Sequence, residues 1–385
     1  MLDIITHRNS VTNSKDAKSI LIVYDEQRMF IGDTYRLINQ LFSCKSFFTQ
    51  AYFDLNCRNK KHTALCNALL ANNPYIREFN TREWDELDFG LYDIVFCIVQ
   101  DEARLLQSLQ KNYNDRVPGR PWTTAVYSMT AQFLNARLNP IISSVFPPFR
   151  EILDNPAVSI TAAPSELYIT RKEVEWANQW LRNNGIKEHE HLFIILDSTS
   201  ERYKLITMDT YHTMLSHLLN EESVRLLIFD EQNIGKESFY REWIGAEQMS
   251  KFLFAKKLGL REALCLLSSD YTKLIFGPCT GMMHCASGIY NNFARNGRPA
   301  ASLPKVITYT GRYSDGYTAD FWWAGSPLVS CLVLRTTAGN QKEAVLLSDL
   351  PEEEKKDPSR LLFCEEYTPD LLIKFLPAHT GAMVI

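Results

Sequence analysis

The chain contains 385 residues, a length that favours two domains over one. Hydrophobic residues make up 45% and charged residues 22%, values typical of an ordinary soluble globular protein. The formal net charge of −4 excludes a general basic excess, so we expect no nucleic-acid partner. Attraction to an anionic membrane would require a local basic patch.

The cysteines are nine in number, and no two have C-x-x-C spacing. Several lie inside apolar runs, among them Cys97 and Cys331. This pattern predicts buried free thiols in a reducing compartment and gives no zinc-ligand spacing.

The N-terminal segment is polar and has no apolar stretch long enough for a signal peptide. The sequence also contains no run of about 18 apolar residues that could span a membrane. We therefore expect a cytoplasmic protein that makes at most peripheral contact with the inner face of a membrane.

The first third of the chain alternates strand and helix signals. Apolar runs predict strands at Ser19–Tyr24 and Asp93–Val99. Apolar spacing predicts helices at Thr34–Phe42 and His62–Leu70. This alternation is typical of an α/β layer fold.

Prolines are frequent between residues 112 and 165, and we place a domain boundary near Pro164. Thr170 and Glu173 then have capping-box spacing, which predicts a helix that runs to about Asn183. The predicted divisions are a first domain at 1–165, a second at 166–365 and a C-terminal helix and tail at 366–385, which could cross back to the first domain.

A second α/β series follows the boundary. Its predicted elements are, in chain order, a strand at Leu192–Leu196, a helix from Thr207 through Leu219, a strand at Val224–Phe229, an amphipathic helix within Lys251–Leu267, strands at Leu274–Phe276 and Lys305–Tyr309, a solvated loop at 351–357 and a helix at Leu371–Phe375.

The segment 274–288 has the pattern of an anion site. An apolar strand meets a small-residue turn, Cys279-Thr280-Gly281, and a helix follows that carries His284 in its first turns. Free backbone N–H groups and the helix dipole then favour negative charge at one point, where phosphate is the usual occupant. An ordinary βα connection has the same local pattern.

A second segment, 196–215, has residues suited to phosphate. A buried strand ends in Ser198 and Ser200, and the cations Arg202 and Lys204 follow before the next helix. Ligands of open α/β sheets bind at the carboxyl ends of strands, and cations there can neutralise a diphosphate without a metal. The alternative is a solvated basic turn.

A carboxylate lies at the start of a helix in the first domain, at Gly32-Asp33. Asp33 could be a helix N-cap. It could also be a general base that removes the proton of an attacking hydroxyl.

Taken in chain order, these three segments resemble those of the heptosyltransferase-like glycosyltransferases of family 9. The resemblance covers most of residues 19–335. It includes Gly32-Asp33, the turn and basic positions at 198–204, and Cys279-Thr280-Gly281-Met282-Met283-His284-Cys285-Ala286, where the family has Asp-Thr-Gly-x-x-His. It implies the GT-B fold, in which two Rossmann-like α/β domains face each other across a cleft.

The chain departs from the family pattern at three places. Cys279 lies where the family has an acid, and the family's glycine-rich turn is replaced by Asp-Glu-Gln-Asn at 230–233. The segment 311–325 is also rich in aromatic residues. Trp322 and Trp323 could stack on a sugar or cover the core.

The resemblance implies an inverting, metal-independent transferase without a cofactor. The donor would be a nucleotide-diphosphate sugar, with heptose as one option, and the acceptor a glycan or glycolipid of a bacterial surface polysaccharide. Asp33 would be the catalytic base, and Asp230 or Glu231, unless they are solvated loop acids, would bind the nucleoside. His284 would bind phosphate or be a satisfied helix-face histidine. The full diphosphate set would be Ser198, Ser200, Arg202, Lys204, Thr280, Gly281, Met282 and His284.

Two other functions stay open. One is a non-catalytic nucleotide- or carbohydrate-binding protein on a GT-B scaffold, which the departures at Cys279 and 230–233 favour. The other is a sugar-nucleotide 2-epimerase, whose signature turn resembles Ser-Gly-Gly rather than Thr-Gly-Met-Met-His. The sugar, the nucleobase, the acceptor and the oligomeric state are not readable from the sequence.

Overall fold

A computed structural model gives the fold and describes residues 1–25, 30–116, 121–130, 144–150, 164–312, 323, 325–337 and 339–376. The chain divides into two compact units, Met1–Ala163 and Pro164–Ile385. The division falls at the proline-rich segment and close to residue 165, where the sequence places the end of the first domain.

The first unit contains one parallel five-stranded sheet with the strand order β3-β2-β1-β4-β5. Its described helices and strands are α1 (Leu2–Val11), β1 (Ser19–Asp25), α2 (Ile31–Phe47), β2 (Tyr52–Asn56), α3 (Lys60–Leu70), β3 (Ile76–Asn80), β4 (Ile94–Val99), α4 (Glu102–Arg116) and β5 (Ala125–Ser128).

The predicted strands and helices of this unit are confirmed as β1, α2, α3 and β4, whereas α1, β2, β3, α4 and β5 have no counterpart in the predictions. For β2 the reason is that it buries polar residues, Asp54 and Asn56, which interrupt the apolar pattern. Asp54 Oδ2 accepts from Arg77 Nη2 at 2.6 Å and from the Tyr92 hydroxyl at 2.9 Å. These partners make the buried carboxylate tolerable.

A fully buried carboxylate, that of Glu102, fixes the start of α4. Its oxygens accept from the Thr130 hydroxyl at 2.9 Å, from the N–H groups of Val145 and Phe146 at 2.9 and 3.1 Å, and from the Ser128 hydroxyl. Because every one of these donors lies beyond β4 in sequence, Glu102 joins α4 to the end of β5 and to the segment that follows.

The second unit contains a seven-stranded sheet. The described helices and strands of this unit are α5 (Arg171–Asn183), β6 (His191–Ile195), α6 (Met208–Leu219), β7 (Val224–Asp230), α7 (Lys236–Ile244), β8 (Phe252–Lys256), α8 (Leu260–Leu267), β9 (Thr272–Pro278), α9 (Gly281–Arg295), β10 (Lys305–Tyr309), β11 (Val329–Thr336), β12 (Lys342–Leu346), α10 (Glu352–Lys356) and α11 (Pro369–Ile373).

The strand order of this sheet is β12-β11-β10-β9-β6-β7-β8, and only the β11–β12 pair is antiparallel. The chain moves from β6 outward through β7 and β8 and then returns to the other side of β6 at β9. The carboxyl ends of β6 and β9 therefore flank a topological switch point, where open α/β sheets bind ligands.

Local signals predicted most of the second unit correctly. The capping box is confirmed, because the Thr170 N–H donates to Glu173 Oε2 at 2.8 Å and the Glu173 N–H donates to Thr170 Oγ1 at 3.3 Å. The strand at Lys305–Tyr309 is also confirmed, and β11 and β12 were not predicted.

The amphipathic helix predicted within 251–267 is confirmed as α8 (Leu260–Leu267). The strand before it was not predicted: Phe252–Lys256 pairs with β7, and Lys257 then turns with a φ of +56°. One predicted element is wrong. The predicted loop at 351–357 contains α10, whose first turn holds three glutamates, and negative charge stabilises a helix N-terminus.

The described part of the C-terminal segment packs within the second unit. Leu372 and Leu376 are buried in the core cluster that also contains residues of α6 and of the central strands. Residues 377–385 lie outside the described part of the chain, so the predicted return of the tail to the first domain stays a prediction. Within the described ranges, no helix is long and apolar enough to cross a membrane.

The ends of β6 and β9 approach closely because residue 277 is a glycine. A Cβ at Gly277 would lie 2.4 Å from the carbonyl oxygen of Leu196 and 2.7 Å from its Cβ. At the same point the Leu196 N–H donates to the Phe276 carbonyl at 2.8 Å. The absence of a side chain thus permits the strand contact beneath the switch point.

Gly277→Ala should lower the free energy of unfolding by about 2–3 kcal/mol, because backbone must move to admit the methyl group. Urea denaturation of the variant and the wild type measures this loss. Gly339→Ala is the matched control, since nothing lies within 4 Å of the added Cβ. Equal stability of the Gly277 variant and the control would contradict the strand-contact argument.

Candidate functional site

The N-terminus of α9 lies at the switch point and presents backbone donors. Thr280 is the N-cap residue with extended backbone, and Gly281 begins the helix. The first turn, GMMH, contains no acidic side chain that could occupy its N–H groups. The Thr280 hydroxyl makes no capping bond, and its oxygen is buried without a hydrogen-bond partner among the described residues. This helix start has the geometry on which the predicted anion site depends, and the site itself stays a prediction.

His284 lies on the buried side of α9 and is 3% exposed. Burial, and after it the positive charge of Lys204, lowers the pKa of His284 to about 3. The imidazole is therefore neutral near neutral pH. The ammonium of Lys204 therefore lies within electrostatic range of His284.

Trp323 covers the core beside His284. Its ring centroid lies 5.8 Å from that of His284, and its side chain is buried with Cys279 and Cys331 in a cluster under the edge of the sheet. Of the two alternatives for Trp323, its burial favours the core over a sugar platform. Trp322 lies outside the described residues.

The segment after β6 carries the other predicted phosphate ligands. Ser198 and Ser200 are exposed, and Arg202–Lys204 forms a 3₁₀ turn in which Arg202 is exposed and Lys204 is partly buried. The Lys204 N–H donates to the Glu201 carbonyl at 3.1 Å and so closes the turn.

A small cavity brings predicted residues of three segments together. It lies at the carboxyl ends of β6 and β7 beside the N-terminus of α9. Four of the predicted ligands line it: Ser198, Glu231, Thr280 and Met282.

Asp230 has a structural role. It is fully buried, and its carboxylate accepts from the N–H groups of Ile234 at 2.8 Å, Gly235 at 3.3 Å and Lys236 at 3.2 Å. These bonds hold the turn before α7, and the carboxylate has no exposed surface to offer a ribose. We therefore leave Asp230 out of the proposed nucleoside site and keep Glu231, which is exposed at its mouth.

Lys236 also lies at the carboxyl ends of β6 and β7, and the sequence predictions missed it. Its Nζ lies 2.6 Å from Asp197 Oδ1, 2.7 Å from Ser198 Oγ and 2.6 Å from the Phe229 carbonyl oxygen. The available signal was a lysine directly after Gly235, whose φ is +90°, at the start of a helix that follows a strand.

Asp33 lies in the first turn of α2, in the first unit, and is partly buried. Phe30, not Asp33, is the N-cap residue of this helix. The N-cap alternative for Asp33 is therefore wrong.

All nine cysteines are buried free thiols, as the sequence predicts. Cys279, which lies where the resembling family has an acid, is 1% exposed, and its N–H donates to the Tyr309 carbonyl at 3.0 Å. Its thiol packs in the core and not on the anion site. The described residues contain no group of three or more His, Cys, Asp or Glu side chains that could hold a metal ion.

No protein-family model matches the sequence, and no curated protein matches it. Solved structures do match the fold. ADP-heptose LPS heptosyltransferase II from E. coli is 14% identical, with a TM-score of 0.53 over 89% of this chain and 96% of that one. A family 9 glycosyltransferase from Veillonella parvula is 12% identical, with a TM-score of 0.53 over 83% of this chain and 86% of that one.

A UDP-N-acetylglucosamine 2-epimerase is 9% identical, with a TM-score of 0.32 over 70% of this chain and 76% of that one, a similarity too low to support an argument. The first two similarities establish that this chain has the two-domain α/β fold of the heptosyltransferase-like proteins. The fold class and the resemblance inferred from the sequence motifs are thereby confirmed.

The low pKa of His284 predicts a loss of stability in acid. The folded pKa of about 3 lies below the ordinary value of 6.5, so the stabilisation is present above pH 6.5 and is lost as the pH falls toward 3. His284 should contribute a decrease of about 2 kcal/mol in the free energy of unfolding between about pH 7.5 and about pH 5. Urea titrations across this range measure it.

His284→Phe should show a correspondingly weaker pH dependence over the same range. His189→Phe, at an exposed histidine, is the control and should keep the slope of the wild type. A His284 variant with the full slope of the wild type would show that the buried imidazole does not titrate as argued.

Proposed function

We propose that this protein is a glycosyltransferase that transfers a sugar from a nucleotide-diphosphate donor to a hydroxyl of a glycan or glycolipid. One observation carries the proposal. The first turn of α9 begins at the switch point without an acidic side chain, and the positive charge of Lys204 contributes to lowering the pKa of His284 in that helix. Two sources of positive potential at one strand edge suit two linked phosphates better than a neutral ligand.

The diphosphate would bind with its oxygens at the N–H groups of Gly281 and Met282. Lys204, with Arg202, would offset the negative charge that grows on the departing phosphate. Backbone donors and a lysine at fixed positions need no reorganisation as that charge develops, which is the form of electrostatic stabilisation that accelerates group transfer. Side-chain cations in this role support a metal-independent reaction.

The chemistry we propose is a single displacement with inversion. The acceptor oxygen attacks the anomeric carbon from the face opposite the diphosphate, and a new carbon–oxygen bond forms. The bond from the anomeric carbon to the phosphate oxygen breaks, and its electron pair leaves with the nucleoside diphosphate. Asp33 takes the proton of the attacking hydroxyl as general base.

One structural neighbour, similar over 89% of this chain, is named for ADP-heptose, so we propose an ADP-linked heptose as the first donor to test. Glu231, exposed at the mouth of the small cavity, is the residue we propose for the ribose hydroxyls. The acceptor we propose is a sugar of lipopolysaccharide or of a similar surface polysaccharide.

A second function is favoured by a specific observation. Cys279 is buried in the core where the resembling family has an acid. A protein that binds a nucleotide sugar without transferring it would tolerate this replacement. Binding and transfer therefore need separate tests.

Thermal unfolding with ADP, UDP, GDP and CDP tests the binding half of the proposal. A nucleoside diphosphate at about 100 times its Kd should add about 2.7 kcal/mol of stability. Lys204→Ala should weaken binding of the preferred one about 10- to 100-fold, because it removes a cation from a partly buried anion site.

Lys172→Ala is the control for charge, since Lys172 is exposed on α5. It should bind as the wild type does. If none of the four nucleoside diphosphates stabilises the wild-type protein, the proposed donor site is wrong.

Asp33→Asn tests the transfer half. The variant should keep its affinity for the nucleoside diphosphate and lose about 10²–10⁴-fold in transfer rate, because an amide cannot accept the acceptor's proton. The assay follows release of the nucleoside diphosphate from ADP-heptose in the presence of lipopolysaccharide core acceptors. Asp16→Asn, at an exposed acid of the same unit, is the control.

Unchanged turnover of the Asp33 variant would remove Asp33 from the mechanism. Binding without turnover in the wild-type protein would favour the non-catalytic alternative, and an epimerised sugar nucleotide formed without acceptor would favour the epimerase. Full activity in excess chelator is expected, and stimulation by Mn²⁺ would contradict metal independence.

A further inference from the structure

The ammonium of Lys236 is saturated by protein oxygens. Its acceptors within 2.7 Å come from the end of β6, at Asp197 and Ser198, and from the end of β7, at Phe229. An ammonium has three protons to donate, so these contacts use all of them. A fourth oxygen, Glu231 Oε2, lies 3.4 Å away. Lys236 is thus placed to hold other groups and not to bind a phosphate itself.

The position of this lysine is unfavourable for stability alone. Lys236 is the first residue of α7, and a cation at a helix N-terminus opposes the helix dipole. Its side chain is only 11% exposed and that of Asp197 only 14%, so the pair is also largely desolvated. Local rules are broken in this way mainly at functional sites.

Asp197 is in turn held from the other side. The Tyr240 hydroxyl donates to Asp197 Oδ2 at 2.9 Å, and the hydroxyls of Tyr240 and Tyr211 lie 2.8 Å apart. The Asp197 carboxylate therefore has both oxygens engaged and cannot swing away from the lysine. The result is a fixed frame around the Ser198 hydroxyl.

The contact with Lys236 decides what Ser198 can do. The ammonium donates to Ser198 Oγ and so occupies one lone pair of that oxygen, which leaves the hydroxyl proton to be donated. Within the protein its acceptor is Asp197 Oδ1 at 3.2 Å, a long bond for a hydroxyl. Ser198 also lines the small cavity together with Thr280 and Met282, beside the N-terminus of α9.

We propose that Lys236 is a positioning residue for the donor diphosphate, acting through Ser198, whose hydroxyl it holds as a hydrogen-bond donor toward phosphate oxygens at the start of α9. This inference rests on the proposed function. It adds a residue to the site and specifies that its effect passes through one hydroxyl.

A double-mutant cycle with inorganic pyrophosphate, followed by isothermal titration calorimetry, tests the inference. Pyrophosphate carries the linked phosphates without the base or the sugar. Lys236→Met and Ser198→Ala should each weaken binding about tenfold, and the double variant should be no weaker than either single variant, because both changes remove the same bond.

Lys251→Met is the matched control. Lys251 Nζ also donates to backbone carbonyls, those of Leu219 and Glu221 at 2.5 and 2.8 Å, but it lies just before β8, at the amino end of the sheet. This variant should bind pyrophosphate as the wild type does. Circular dichroism and thermal unfolding report whether each variant is folded.

Lys236→Arg keeps a cation beside Asp197 and covers the case in which the methionine variant does not fold. A planar guanidinium cannot place one nitrogen among the three oxygens, so this variant should fold and bind pyrophosphate about three- to fivefold more weakly. In the Ser198→Ala background the arginine substitution should have no further effect on binding.

Wild-type affinity in the Lys236 variants, or a double variant weakened by the product of the two single effects, would overturn the inference. If Lys204→Ala abolishes pyrophosphate binding while the Lys236 variants bind normally, the proposed function stands and only the inference fails. If the wild-type protein binds neither pyrophosphate nor any nucleoside diphosphate, both fail.

Discussion

The second unit is organised around the N-terminus of α9, whose first-turn amide groups have a fixed position at the carboxyl ends of β6 and β9. The helix cannot shift to satisfy them elsewhere, because residues 283–292 are buried in the core. The strand that leads into it, β9, packs against β6 at Gly277, where only a glycine fits. Backbone N–H groups at a helix N-terminus favour a negatively charged group, and the first turn of α9 has no acidic side chain to supply one.

Two side chains near those amide groups, His284 and Lys236, lie in environments that are unfavourable for a positive charge. His284 is buried in its neutral form under the influence of the Lys204 charge, and Lys236 is desolvated at the positive end of a helix. Protonation of His284 would oppose folding, and the placement of Lys236 opposes the dipole of its own helix. The carboxylates nearby are already engaged, Asp197 by Lys236 and Asp230 by three backbone amides. The function we propose rests on these engaged carboxylates leaving the helix N-terminus and Lys204 as the positive groups of this part of the sheet.

Elements whose signals are local were predictable, and elements that depend on distant partners were not. Neighbouring residues alone predict the helix that starts at the Thr170–Glu173 capping box, and the same is true of the apolar strand β4. It is not true of strand β2, because Asp54 is stable inside it only through Arg77 and Tyr92. Strand β8 was not predicted either, because its pairing with β7 defines it. At the site, the turn at Thr280 was readable, whereas Lys236 was not.

The sequence by itself determined the α/β class, the boundary region near Pro164, the strand, turn and helix at 274–288 and the resemblance to the heptosyltransferase-like fold. These depend on periodicity, caps and residues adjacent in the chain. Only the tertiary structure decided the role of each polar side chain. Lys236 meets Asp197 across 39 positions of sequence, and Asp230 is withdrawn from solvent by a turn that folds back on it. Burial and partnership set the charge and availability of a group, and both arise only when separate segments pack together.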